Sequence, residues 1–429
     1  MNRDVKDPQP LLFFAWLGIG MLSLLLSIVW LLITPEILIG LPTLAPKVIA
    51  WTHLMILGWL CSLFFAAGYQ LTPVVTLNPL ASRWLSRVHG FLHGLGVTLM
   101  VFSFATSRYH LLAVGGTSVV SGFVLFALNV LLSAGLDPKW NHLSLMWITG
   151  IFWLLVGATM AIIAVCMRVG VMIGVNFNEI VGLHIHTMIG GFFLMLLMAA
   201  ASKLVPMFML SPEQPQYGSW IAGVVLNLAL LGTYWGFHSP VGHYRSVLMI
   251  VVLAVVIAYY AQLFYFAKTK RRKWDAGITL FYVANLTLIP AWWLLFQYHS
   301  GSLEQTGDQT YMIRSAVFIF TFLTFNGCIL GMAQKIVPFM LWHHLYSKHL
   351  GKAKVPLTTD LLNTWSLWPI VVSYLAAAVL YLLALFYHLA ELIRPATIAM
   401  LIAFVFVVCN APKFISHWKQ PKLTPFLKH

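Results

Sequence analysis

The sequence predicts an all-α polytopic membrane protein with twelve transmembrane helices in three pseudo-symmetric four-helix units. Three observations predict it. Only 8% of the residues are charged and 60% are hydrophobic, with a mean hydropathy of +0.87. No soluble domain of 429 residues hides that much apolar surface. The apolar residues also fall into twelve separate stretches, each long enough to cross a bilayer. Finally, one 21-residue segment recurs three times, as His53–Pro73, His186–Pro206 and Phe318–Pro338.

Hydropathy places the spans at 11–34, 47–73, 84–106, 111–133, 143–168, 179–205, 219–238, 245–267, 276–298, 312–338, 366–389 and 393–415. The first span is followed by eleven more, which argues against a cleaved signal peptide. The closing prolines of the recurring segment, Pro73, Pro206 and Pro338, lie 133 and 132 residues apart. The first two copies agree at nine of 21 positions, including the opening His and the Gly five residues on. As a helix each copy is about 30 Å long, one bilayer crossing. The segment is the second span of each unit, which gives units of approximately 11–133, 143–267 and 276–415 in a single membrane domain covering 1–429. The three prolines are expected at span ends, where they interrupt nothing.

The net charge of +14 raises the question of a nucleic-acid partner. Its distribution points to topology instead. With the N-terminus inside, one face collects Arg83, Arg87, Lys139, Lys268, Lys270, Arg271, Arg272, Lys273, Lys348, Lys352 and Lys354. The opposite face carries Lys47, Arg108, Arg168, Arg245, Arg314 and Arg394, with an acidic loop at Glu304 and Asp308. This is the positive-inside pattern of a bacterial inner-membrane protein with both termini cytoplasmic. The expected partner is the lipid bilayer, its anionic headgroups included, and no nucleic acid is implied. The four cysteines, Cys61, Cys166, Cys328 and Cys409, stand singly in spans and form neither a CxxC nor a haem-attachment motif.

Function then rests on the histidines, because an imidazole inside hydrocarbon needs a partner. Spans 2, 6 and 10 all begin on the outer side, so His53 and His186 share one depth in the outer third. His184 lies one step further out, and His238, His243, His110, His299 and His388 lie near the outer face. His89 and His93 lie on one face of span 3, near the inner side, where helix packing is the simpler role. His343, His344 and His349 sit in an aromatic, basic interfacial stretch. His53 and His186 stand out because the same residue recurs at the same place in two units. A following Gly lets a flat group or a neighbouring helix approach the backbone.

These residues resemble the catalytic subunit (subunit I) of haem-copper oxidases and nitric oxide reductases. The resemblance covers the chain in topology and about four short segments in sequence. It implies that His53, with Gly58, Trp59 and Pro73, stands where that family ligates its low-spin haem. His186, with Gly190, Phe192, Phe193 and Pro206, stands where the family has a copper ligand. YWGFHSPVGH places His238 where a further copper ligand belongs, with Ser239 in place of a second and His243 as its stand-in. Arg394 stands where haem propionates are held. Span 10 departs, with Ala316, Val317 and Phe318 where the family has His-x-His. Span 6 instead carries His184-Ile185-His186. The chain thus resembles a degenerate, non-oxidase branch of the superfamily, for which the NnrS-like haem and copper proteins are a precedent.

The resemblance implies a haem b-binding membrane protein in electron transfer or in nitric oxide or dioxygen chemistry, served by a membrane or periplasmic electron-transfer partner. Rotating the family's low-spin site by one repeat puts its two axial ligands at His53 and His186, with His184 left to hydrogen-bond or to ligate copper with His238. Arg245 and Arg394 would then pair with propionates. The alternative is a metal or haem transporter or assembly factor on the same scaffold without a redox centre. The near absence of acidic residues in the spans, with Glu179 the nearest, weighs against proton-coupled transport.

Overall fold

In the computed structural model, residues 10–135, 140–171, 174, 176–212, 217–238, 242–300 and 309–425 are described. The chain is an all-α polytopic membrane protein. Its twelve spans are Pro10–Ile33, Pro46–Thr76, Arg83–Thr106, His110–Ala134, His142–Arg168, Phe177–Met209, Tyr217–Gly236, Arg245–Thr269, Ala276–Ser300, Thr310–His349, Thr364–Tyr387 and Ala390–Lys419. The only strands among the described residues are two residues each, Ala353–Lys354 paired antiparallel with Thr424–Pro425.

Polar residues punctuate the apolar runs. The side chains of Ser82, Asn141, Asn176 and Asp275 each accept a hydrogen bond from a free amide in the first turn of spans 3, 5, 6 and 9. Ser144 closes a capping box with Asn141. Residues with positive φ end several helices, as at Ser107, Gly135 and His388.

The chain divides into two compact units. Among the described residues, one comprises those within 67–273 and 290–317, and the other those within 10–66, 274–289 and 318–425. In the first, Phe126, Trp147, Phe192, Phe193, Tyr259 and Phe266 are fully buried. In the second, Trp16, Trp59, Phe65, Tyr346, Tyr374 and Tyr381 fill the same role.

The recurring segment carries a feature that hydropathy does not show. A π-helical stretch interrupts the α-helix in all three copies, at Leu54–Cys61, Thr187–Leu194 and Ile319–Phe325. Each begins directly after the residue that opens the copy, His53, His186 or Phe318. Stretches of this kind are uncommon and concentrate at functional sites.

Two expectations need correction. The three prolines do not close their spans. Helix continues past Pro73 to Thr76, past Pro206 to Met209 and past Pro338 to Tyr346. Proline lacks an amide proton and crowds the preceding turn, and neighbouring helices re-satisfy the freed carbonyls inside a membrane. Residues 339–346, which lie beyond the span expected at 312–338, are accordingly helical. The acidic loop with Glu304 and Asp308 lies outside the described residues, as does Lys139.

Candidate functional site

His53 and His186 are anchored in the same way. His53 Nδ1 lies 2.8 Å from the carbonyl oxygen of Ile49, and His186 Nδ1 lies 2.7 Å from that of Gly182, each four residues back on its own helix. A carbonyl only accepts, so Nδ1 carries the proton in both rings. Each Nε2 then presents a lone pair, the atom by which a neutral imidazole binds a metal. A backbone carbonyl on the other ring nitrogen is the usual support of a metal-ligating histidine. Both rings are half-buried. In the third repeat Phe318 occupies the equivalent place and carries no donor atom.

The glycine five residues on serves a neighbouring helix in both units. A Cβ on Gly58 would stand 2.6 Å from Ser23 Oγ of span 1. One on Gly191 would stand 2.5 Å from Trp153 Cβ of span 5. In each case the first span of the repeat presses against the π-helical stretch of the second.

The surroundings of His186 come from four spans. Its Nε2 accepts a hydrogen bond from His299 Nε2 of span 9 at 2.7 Å, with ring centroids 4.9 Å apart and planes inclined by 58°. Thr187, the next residue, shares a 2.9 Å hydrogen bond with Tyr234 of span 7. Trp153 stacks on Tyr234, with centroids 6.2 Å apart, and donates to Asn227 Oδ1 at 2.8 Å. Arg245 of span 8 acts electrostatically on both imidazoles, and its Nε donates to the Gly236 carbonyl at 3.1 Å.

The other predicted residues divide. His184 is held on span 5 instead, with Nδ1 2.8 Å from the Gly157 carbonyl. Arg394 is exposed at the start of span 12. The side chains of His238 and His243 lie outside the described residues. Among the described residues no three His, Cys, Asp or Glu side chains converge on one point. His53 belongs to one compact unit, while His186, His184 and Arg245 belong to the other.

His299 is the residue that sequence reasoning passed over. The sequence places it and His186 at neighbouring expected depths, but nothing in the sequence pairs spans 6 and 9. His89 and His93 are fully buried, His89 Nδ1 lying 2.7 Å from the Tyr69 hydroxyl and both rings packing on Phe126 or Phe123. Near the end of span 10 His344 stacks on Trp418 with centroids 5.0 Å apart, and His417 pairs with the Tyr346 hydroxyl at 2.6 Å.

No family model matches the chain, and no curated protein matches it.

Proposed function

We propose that this is a haem b-binding protein of a bacterial inner membrane, a degenerate relative of the haem-copper oxidases, acting in electron transfer or in nitric oxide or dioxygen chemistry. The observation that carries the reading is the shared anchoring of His53 and His186. Two repeat-equivalent imidazoles, in the same tautomer, each present Nε2 at the start of a π-helical stretch. His53 is the iron ligand, and His186 is a second imidazole for iron or copper. Bound haem would supply a one-electron centre. Arg245 and Arg394 supply cationic partners for its propionates. A second axial imidazole would saturate the iron for electron transfer, and an open position would admit a diatomic gas. A membrane or periplasmic protein delivers the electrons, and both termini are cytoplasmic.

A second reading, a metal or haem transporter or assembly factor without a redox centre, draws support from the paired imidazoles of His186 and His299. The reduced-minus-oxidised spectrum of the purified protein separates the two. A b-type band that disappears in His53→Ala and survives in His89→Ala supports the haem reading. A colourless protein, or a band indifferent to His53→Ala, removes His53 as an axial ligand.

A further inference from the structure

The connection between spans 10 and 11 folds with the C-terminal tail into a small platform. Span 10, at 40 residues, is about 60 Å long as a helix, twice the hydrocarbon thickness of a bilayer. Its polar end, with His343, His344 and Lys348, is the part that emerges. There it meets the chain that follows span 12. The buried Tyr346 hydroxyl pairs with His417 Nδ1 and accepts the Lys422 amide at 3.1 Å. Ala353–Lys354 pairs with Thr424–Pro425, and the Trp342 indole donates to the Pro356 carbonyl at 2.6 Å. Leu341, Tyr346 and Leu361 form a core of the platform's own, with Val355, Phe414 and Leu423 packed on it. All of these residues belong to one compact unit.

Two kinds of side chain share the surface of the platform. Lys348, Lys352, Lys354, Lys419 and Lys422 are exposed. The one carboxylate in 339–365 and 410–425 is that of Asp360, and it accepts the Leu357 amide at 2.8 Å. Interleaved with the lysines are Leu350, Leu357, Ile415 and Trp418, which are 39–69% exposed. The topological bias of cations accounts for the lysines and leaves these four apolar side chains unexplained. An acidic soluble partner would match the lysines alone. The headgroup layer of an anionic leaflet takes both kinds at once. Apolar tips enter it by about 5–10 Å, while lysine stems lie along apolar surface and keep their ammonium groups among the phosphates. Spans 10, 11 and 12 already tether the platform beside that layer, so a weak attraction suffices to seat it.

We propose that this platform docks on the anionic phospholipid headgroups of the leaflet it borders, with Leu350, Leu357, Ile415 and Trp418 inserted and the lysines on the phosphates. The inference concerns the lipid surface alone and needs neither haem nor a metal ion.

The test uses the full-length protein in lipid nanodiscs, one set of phosphatidylcholine alone and one of phosphatidylcholine mixed with phosphatidylglycerol. In a cysteine-free background a nitroxide is attached at Leu357→Cys or Ile415→Cys. Its collision rates with oxygen and with a water-soluble nickel chelate report lipid against water. In the anionic discs both positions should favour oxygen, with nickel collisions severalfold fewer than in the neutral discs. High salt should reverse the change, because it screens lysine from phosphate. Lys348→Gln, Lys352→Gln and Lys354→Gln together should reverse it too. The lipid and salt comparisons need no lysine variant, so a triple variant that fails to fold leaves the test intact. Labels that stay in water in both sets of discs overturn the proposal and turn the surface toward an acidic soluble partner. Labels buried in both sets whatever the salt, or still buried in the folded triple variant, overturn it as well, because apolar contact alone then holds the platform. One label in lipid and the other in water in the anionic discs removes the single docking surface.

Discussion

Trp51 stacks on Phe318, with ring centroids 5.8 Å apart and planes inclined by 26°. Phe318 is the residue that stands where the third repeat would have its histidine. Tyr381 packs edge-on against it at 5.0 Å, and Phe322 lies 5.1 Å away. Trp51 in turn donates to the Ser27 carbonyl at 2.8 Å, and the Tyr381 hydroxyl meets Thr397. An aromatic cluster thus fills the position, and span 10 offers no imidazole there. Phe318→Ala should destabilise the protein by about 3 kcal/mol, the cost of an unfilled aromatic cavity. Thermal unfolding in detergent measures it. The same variant should leave any b-type band in place, because 312–338 contains no histidine; a band lost with the fold intact would contradict this.

The two glycines at the π-helical stretches admit no side chain. Gly191→Ala drives a methyl group to within 2.5 Å of the Trp153 Cβ, inside a helix pair held by backbone packing. The expected loss is about 1–3 kcal/mol, the usual effect of overpacking. Gly94→Ala, on span 3 with nothing within 4 Å of the added atom, should be neutral or slightly stabilising, since alanine is the better helix former. Parallel melting curves of the two variants decide it.

The sequence carried the fold to within a few residues because lipid leaves few choices. Every apolar run of about 20 residues must satisfy its own backbone, and only helix does so. The ends of spans 1, 3 and 5 accordingly match hydropathy closely. Span 10 does not, because helix continues through Pro338 into the polar interfacial residues, where hydropathy falls off while hydrogen bonding does not. His53 and His186 were visible through repetition alone. Their tautomers were not, since the same imidazole and carbonyl are present in any helix and only the rotamer brings Nδ1 to the residue four back. The π-helical stretches left no trace in the periodicity, and the His299 contact depends on packing between spans 6 and 9. Short-range pattern reaches neither.

The N-terminus of span 9 is held by one carboxylate doing two jobs. Asp275 accepts from the Ile278 amide at 3.1 Å and forms an ion pair with Lys335 of span 10. Asp275→Ala removes both and should cost about 2 kcal/mol, combining a lost cap with a partly exposed ion pair. Asp275→Asn keeps a capping oxygen and should cost no more than about half of that. Equal losses for the two variants would show that the cap contributes nothing.

The depth of every histidine depends on which face of the membrane is inside. Lys268, Lys270, Arg271, Arg272 and Lys273 form the densest basic run between spans, and Arg83 and Arg87 begin span 3 on the same side. Cationic loops stay on the cytoplasmic face during insertion, where anionic lipid and the membrane potential both hold them. In a cysteine-free background, single cysteines at Arg87 and Trp274 should react with an impermeant maleimide only after the membrane is opened. Cysteines at Ser107 and Glu304 should react in intact cells, Glu304 serving as a sequence position outside the described residues. Labelling of position 304 from the cytoplasm would invert the assignment. His53, His186 and His299 would then face the inner compartment, and any electron donor or metal source would have to be sought there.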